Sequence, residues 1–426
     1  MVKEGYKQTE VGVIPEDWIV TSLGEEGSFK NGINKSADQF GFGFPFVNLM
    51  DIFGIPSIST EQGLGLLNST PFEQSLYSVE KGDVLFVRSS VKPSGVGLTS
   101  LVKKDLKKTV FSGFIIRYRN DSISSDFKEH CFYRSDFRKR VIAASTSSAN
   151  TNINQSNLSP ILFALPPSHV EQKAIAEALS DVDGLIASLE VLIAKKHALK
   201  TATMQQLLTG KTRLDGFGAG KGMKQTELGE IPEDWDVVPL GEIGKPVIGL
   251  TYKPSDVSNE GTLVLRSSNI QNGVLTYENN VFVKHDLPQR VITSEGDLLI
   301  CVRNGSRALI GKCALIDETA AGSAFGAFMS LFKSDDSKFV YFQFQSHVIK
   351  KQIEDTMGAT INQITNKDLN RFRIPFPKSP EERLKIADLL ENWELDIQSL
   401  NSRLNKTKAL KQGMMQELLT GRTRLV

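Results

Sequence analysis

The stretch SHVEQKAIAEALSDVDGLIASLEVLIAKKHALKTATMQQLLTG (168–210) and the stretch SPEERLKIADLLENWELDIQSLNSRLNKTKALKQGMMQELLTG (379–421) are one pattern written twice. They align without a gap at an offset of 211 residues, and the match runs on to Leu214 and Leu425. Each opens on a serine with a glutamate three residues later, Ser168 with Glu171 and Ser379 with Glu382, which is the pattern of a capping box. Pro380 suits the first helical position because its missing N–H would have no partner there. Each closes on glycine, in LLTGKTRL (207–214) and LLTGRTRL (418–425), where a left-handed residue can end a helix. Between cap and stop, Ile175, Leu179, Val182, Ile186, Leu189 and Ile193 recur at alternating steps of four and three. Ile386, Leu390, Trp393, Ile397, Leu400 and Leu404 repeat those steps in the second copy. Such a narrow heptad seam asks for a partner helix. At ~1.5 Å of rise per residue, each helix would be roughly 60 Å long.

The obvious partner is the other copy. In both helices most of the acidic residues come early and most of the basic residues late: Glu171, Glu177, Asp181, Asp183 and Glu190 precede Lys195, Lys196 and Lys200. In the second copy Glu381, Glu382, Asp388, Glu391, Glu394 and Asp396 precede Arg403, Lys406, Lys408 and Lys411. This order suits each macrodipole. It also favours antiparallel pairing, in which acidic halves face basic halves. Exposed ion pairs contribute only about 0–1 kcal/mol each, so charge sets the direction and the apolar seam supplies the stability. The plain alternative is two amphipathic helices packed on unrelated globular domains.

A chain of 426 residues predicts two or more domains. No apolar run approaches the ~20 residues of a membrane span. The opening MVKEGYKQTE lacks the apolar core of a secretory signal. Cys131, Cys301 and Cys313 are too few and too odd for a disulfide framework, so the expectation is a cytoplasmic protein. A formal net charge of +1 gives no overall basic signature, so any nucleic-acid surface must be a local patch.

The repeat extends beyond the helices. KQTEVGVIPEDW (7–18) recurs as KQTELGEIPEDW (224–235), a turn whose tryptophan, Trp18 or Trp235, is expected to pack at a domain entrance. Residues 19–165 and 236–377 are far less alike, and both read as short β-rich runs broken by Gly, Pro, Asn and Ser. Islands of likeness survive. PFVNLMDIFG (45–54) stands where LVLRSSNIQNG (263–273) stands, and KGDVLFVRSS (81–90) matches EGDLLICVRNGS (295–306) with one inserted residue. FKEHCFYRSDFRKRVI (127–142) and FVYFQFQSHVIKKQI (339–353) read as aromatic-faced helices, and NTNINQSNL (150–158) pairs with GATINQITNKDL (358–369). The fold class is therefore α+β, with two globular β-rich domains and two long antiparallel helices forming a coiled coil. The divisions fall at 1–165, 166–214, 215–235, 236–377 and 378–426, and GFGAGKG (216–222) is a flexible link.

No catalytic motif emerges. Gly210-Lys211-Thr212 resembles the end of a phosphate loop, but Gln205 stands where the first glycine belongs, and the segment ends a helix instead of opening one. The histidines (130, 169, 197, 285, 347) and cysteines show no metal-ligand spacing. Leu165-Pro166-Pro167-Ser168 has the prolines of an adenine-methyltransferase element without its polar and aromatic partners, and no G-x-S-x-G elbow or H-E-x-x-H pair occurs.

The duplicated PEDW entrance, the Gly-Asp-(Val/Leu)-Leu strand running into Val-Arg, the Pro-rich entry to each long helix and the paired LLTG-(Lys/Arg)-TRL endings resemble the DNA-specificity subunit of Type I restriction–modification systems. The resemblance spans essentially the whole chain. It implies two target recognition domains, each reading one half of an asymmetric bipartite site on double-stranded DNA, held apart by spacer helices. It implies no catalysis in this chain. The partners it implies are two modification (methyltransferase) subunits and restriction subunits, and these would carry S-adenosylmethionine, ATP and Mg.

Base-reading side chains are then expected on the islands: Asn48, Arg88, Ser89, Ser90 and Lys92 in the first domain, and Arg266, Asn269, Arg303, Asn304, Ser306, Arg307 and Lys312 in the second. Arginine can grip guanine O6/N7 and asparagine adenine N6/N7, each giving about 1–3 kcal/mol of discrimination. Asn152, Asn154, Asn362 and Gln363 suit backbone contacts, and Lys103, Lys104, Lys107 and Lys108 suit phosphate neutralisation. The plain alternative for Arg88 and Arg303 is a salt bridge inside the domain. Two rival functions are a coiled-coil scaffold that binds proteins and an orphan specificity-like regulator that does not direct cleavage.

Overall fold

The two repeated stretches form single α-helices of 39 residues each, His169–Leu207 and Pro380–Leu418. The structure is a computed structural model that describes residues 3–147, 149–284, 287–357 and 362–425. His285 and residues 358–361 of the second asparagine island lie outside the described residues. Both helices end before a glycine in the left-handed region, Gly210 at φ 70° and Gly421 at φ 69°, as the sequence predicts. No helix among the described residues is long and apolar enough to cross a membrane.

The chain packs as two units, Met1–Glu190 with Ser402–Val426, and Val191–Asn401. Each unit contains part of both long helices. In the first, Glu190 pairs with Lys408 at 2.6 Å and Asp183 with Lys411 at 2.6 Å. One number falls as the other rises, so the helices run antiparallel there. In the second, Lys196 pairs with Asp396 at 2.9 Å and Lys200 with Glu394, again antiparallel. Of the twelve seam positions, Ile175, Leu179, Leu189, Ile193, Ile386, Leu390, Ile397 and Leu404 are buried. Val182, Ile186, Trp393 and Leu400 are half-buried.

The globular part of the first unit is built on a five-stranded sheet in the order Ser28–Asn31, Ile115–Arg119, Val84–Val87, Thr99–Val102, Ser57–Ile58. Val84–Val87 is buried on both faces, which accounts for its unbroken apolar sequence. One face packs on the helices Ser125–Cys131 and Ser135–Ala143 through Phe127, Phe132 and Phe137. Ile175, Ala176 and Leu179 of the first long helix, with Leu418 at the end of the second and Leu419 just past it, close the same core. The other face meets a three-stranded sheet that includes Phe40–Val47, packed through Val47, Leu85, Val87 and Phe111. The second unit repeats this plan. Its sheet order is Lys245–Ile248, Met329–Lys333, Leu298–Cys301, Cys313–Leu315. Phe339 and Phe342 of the helix Ser337–Gln345 join Ile386, Ala387 and Leu390 in its core.

The entrance segments are hairpins: Tyr6–Thr9 pairs with Gly12–Pro15, and Met223–Thr226 with Gly229–Pro232. Both tryptophans that follow are fully buried. Each donates its indole N–H to a buried glutamate at the head of a long helix, Trp18 to Glu171 at 3.2 Å and Trp235 to Glu382 at 3.3 Å. The same glutamates take a fork from arginine: Arg424 on Glu171 and Asp17, and Arg213 on Glu382 and Asp234. The capping box is therefore only half what its sequence predicts. Ser168 and Ser379 accept the glutamate N–H at 3.4 and 3.3 Å, while the glutamate carboxylates face the arginine and the indole. A buried carboxylate is better neutralised by a guanidinium than by one more amide.

Candidate nucleic-acid interface

In the first unit the polar islands meet at the end of the Val84–Val87 strand. Val87 stands opposite Ile115. One residue on, Arg88 donates its backbone N–H to the carbonyl of Phe114 at 2.9 Å, and its Nη1 donates to the Gly113 carbonyl at 3.1 Å. Its own carbonyl accepts from Ile153 N–H at 2.9 Å. Ser89 then pairs with Asn152 and Ser90 with Thr151, so the RSS and NTN islands are neighbouring strands of one small ladder. Lys92 lies exposed on the loop that follows, and its N–H donates to Ser90 Oγ at 3.3 Å. Asn48 sits one residue past Val47, whose carbonyl accepts from Ser112 N–H at 2.9 Å, so it borders the Ser112–Phe114 turn. Asn48 Oδ1 accepts from Leu49 N–H at 2.7 Å, and Asn154 Oδ1 accepts from Asn157 N–H at 2.8 Å. These two carboxamides cap local turns with their oxygen.

The second unit builds the same corner with one more residue. Cys301 stands opposite Met329, and both Val302 and Arg303 donate their N–H to the Phe328 carbonyl, at 3.0 and 3.1 Å. Two residues sharing one acceptor form a bulge, which absorbs the insertion seen between VRSS and CVRNGS. Arg303 bridges to Gln363, Asn304 N–H donates to the Asn362 carbonyl at 3.3 Å, and Asn362 Nδ2 donates to the Gly305 carbonyl at 3.0 Å. Asn304 Nδ2 reaches Ser267 Oγ at 3.1 Å, its Oδ1 takes Ser306 N–H at 3.0 Å, and Lys312 Nζ reaches the Ser267 carbonyl at 3.3 Å. Arg266 donates to the Asn279 carbonyl at 2.9 Å, and exposed Arg307 to the Glu354 carbonyl at 3.2 Å. Asn269 is the exception in this group. It is buried, and its amide is fully engaged with Arg266 N–H, the Thr276 carbonyl and Asn280 Oδ1. It holds the loop in shape and presents no edge outward.

Among the described residues, Arg88, Lys92, Arg266, Arg303, Arg307 and Lys312 form no ion pair, so the corners keep their positive charge. Arg88 and Arg303 do not close a salt bridge inside the domain. The guanidinium of Arg303 instead lies 5.0 Å from the Phe328 ring centre. In the first unit's sheet it is Arg119, half-buried, that grips the buried Asp83, at 2.7 Å.

The lysine cluster is not part of the corner. The Thr99–Val102 strand runs antiparallel to Val84–Val87, with Leu101 opposite Val84, and Lys81 N–H donates to Asp105 Oδ1 at 2.8 Å. Lys103, Lys104, Lys107 and Lys108 therefore stand at the far end of the strand from Arg88. Lys103 is paired with Glu129 at 2.8 Å, and Lys108 lies over the Phe44 ring. The equivalent turn of the second unit begins Asp317-Glu318, of opposite charge.

Sequence reasoning passed over two residues in the corners. Phe114 and Phe328 occupy the same place, immediately before the strands Ile115–Arg119 and Met329–Lys333. Each keeps more than half its surface in solvent, 56% and 55%. The signal was present as Phe-Ser-Gly-Phe (111–114) and Phe-Gly-Ala-Phe (325–328), in which the first phenylalanine of each is fully buried and the second is not.

The family model for the Type I restriction modification DNA specificity domain matches residues 15–195 and 232–409. The chain belongs to the Type I restriction modification DNA specificity family. Two relatives from Methanocaldococcus jannaschii are similar along the full length: the type I MjaX specificity subunit at 28% identity, over 99% of this chain and 97% of that one, and the MjaVIII specificity subunit at 26%, with the same coverage. Among solved structures, the Type I S subunit of M. genitalium superposes with a TM-score of 0.56 at 14% identity, covering 94% of this chain and 96% of its own. A chain solved in work on assembly and conformational transition of the type I R-M system gives 0.58 at 19%, covering 96% and 99%. These likenesses establish a shared fold. In this specificity-family chain, each matched segment contains one of the two cationic corners.

Proposed function

We propose that this chain is the DNA-specificity subunit of a Type I restriction–modification complex. It reads an asymmetric bipartite site on double-stranded DNA, one half-site per globular domain, and performs no catalysis itself. The observation that carries this reading is the corner built twice, from Arg88, Ser89 and Asn152 and from Arg303, Asn304 and Asn362, on domains otherwise unlike in sequence. A shared frame with different side chains suits two different half-sites, since forked arginines and carboxamides discriminate base edges. The chain assembles with two modification subunits, which methylate adenine, and with restriction subunits, which cleave.

The test is to combine the chain with its modification subunits and sequence the methylated bases. Two unlike half-sites separated by unread positions are expected. Retention of the partners without any preference among DNA sequences would favour the scaffold reading.

A further inference from the structure

We propose that Phe114 and Phe328 are DNA-contact residues, each laying its phenyl ring against the apolar surface of the duplex inside its own half-site. The inference rests on the DNA-reading function proposed above and extends it to a pair of side chains and a kind of contact. One exposed phenylalanine on a protein surface is ordinary. Here the exposed ring occurs at the same backbone position of two domains that have diverged almost everywhere else. Each follows a buried phenylalanine by three residues, and each precedes a fully or nearly fully buried residue, Ile115 or Met329. Each also gives its carbonyl to the arginine segment, Phe114 to Arg88 and Phe328 to Val302 and Arg303. The backbone that carries each ring is thereby held against the arginine segment that would grip a base or phosphate.

The surrounding charge chooses the occupant. Arg88, whose Nη1 reaches the Gly113 carbonyl next to Phe114, and Arg303, which lies over the Phe328 ring, carry no ion pair among the described residues. An uncharged apolar partner would leave these cations unmatched, whereas a polyanion supplies phosphates for them and, within its grooves, thymine methyl groups and deoxyribose faces for the ring. Phenylalanine can equally press between base steps as a wedge, and this lies within the same contact.

The experiment uses the full chain assembled with its modification subunits, on DNA whose site has been mapped by methylation sequencing. Phe114→p-benzoylphenylalanine and Phe328→p-benzoylphenylalanine are irradiated in separate complexes. The expected result is a DNA adduct within one half-site for position 114 and within the other for position 328. Adduct chemistry separates a base methyl from a sugar. Phe114→Ala and Phe328→Ala should each weaken cognate binding by roughly tenfold to a hundredfold, with thermal unfolding unchanged because the rings are exposed. Adducts to protein alone, or no adduct from a complex that still retains DNA, would overturn the proposal while leaving the DNA-reading function standing. If the wild-type complex retains no DNA, that function itself fails.

Discussion

Arg424 and Arg213 show how single residues tie each unit together. Both fork across two carboxylates, one nearer the surface (exposed Asp17, half-buried Asp234) and one buried at the head of a long helix (Glu171, Glu382). The hydrogen bond from Arg424 holds the Asp17 carboxyl below its ordinary value, and Arg213 does the same for Asp234. Arg424→Met would leave Glu171 buried with only the Trp18 indole as partner. Removing one member of a buried pair costs about 3 kcal/mol or somewhat more, so the first unit should unfold at lower denaturant while the second is unaffected. The pH dependence has a definite sign. A depressed carboxylate stabilises above its unfolded value near 3.8 and loses that contribution as pH falls through its folded value. The gap in stability between wild type and Arg424→Met should therefore narrow below about pH 4. Much at this scale could be read from the sequence, including the buried tryptophans and the glycine stops. The partner of Glu171 could not, because Arg424 lies 253 residues away and only the fold brings it near.

The long helices were the most legible elements, since a seam of alternating four and three steps admits few other readings. Their direction followed from charge order, and Asp183 on Lys411 in one unit and Lys196 on Asp396 in the other bear it out. The seam is less uniform than its spacing suggests. Ile175 and Leu179 serve a domain core as much as a helix partner, whereas Leu189 is buried beyond it. Leu189→Asp should cost more than the roughly 2–5 kcal/mol of a buried Leu→Ala change, because a charge is buried as well. Leu185→Asp, on the exposed side, should stay within about 0.5 kcal/mol of wild type. Chemical denaturation of the two variants separates these outcomes. A spacer role for the helices adds a functional expectation. Inserting seven residues in either long helix should change the number of unread bases between half-sites and leave the half-sites themselves unchanged, as read from mapped methylation. The strands were harder to place. Lys103, Lys104, Lys107 and Lys108 read as a loop cluster suited to phosphate neutralisation, and strand direction places them at the far end of the sheet from Arg88, a matter of register that composition does not encode.

At the scale of the molecule, the chain is threaded so that its last residues complete the first unit. Tyr6 donates its hydroxyl to the Gly421 carbonyl at 3.0 Å, and Leu418 and Leu419 fill the core that holds Trp18 and Ile175. Removing residues 418–426 should therefore raise hydrogen exchange across residues 1–190 while 191–401 keeps its protection. The duplication that organises all of this is visible in the sequence, and so is the divergence of the two domains that makes an asymmetric target the natural reading. Phe114 and Phe328 were visible too, but exposure decides their meaning, and exposure is a property of the folded chain.

The central claim, that each domain reads its own half-site, is tested most directly by replacing residues 19–165 with the corresponding domain of another specificity subunit and sequencing methylated bases in cells that carry the assembled complex. The account predicts that one half of the methylated site changes and the other stays as it was. A change in both halves, or in neither, would contradict it.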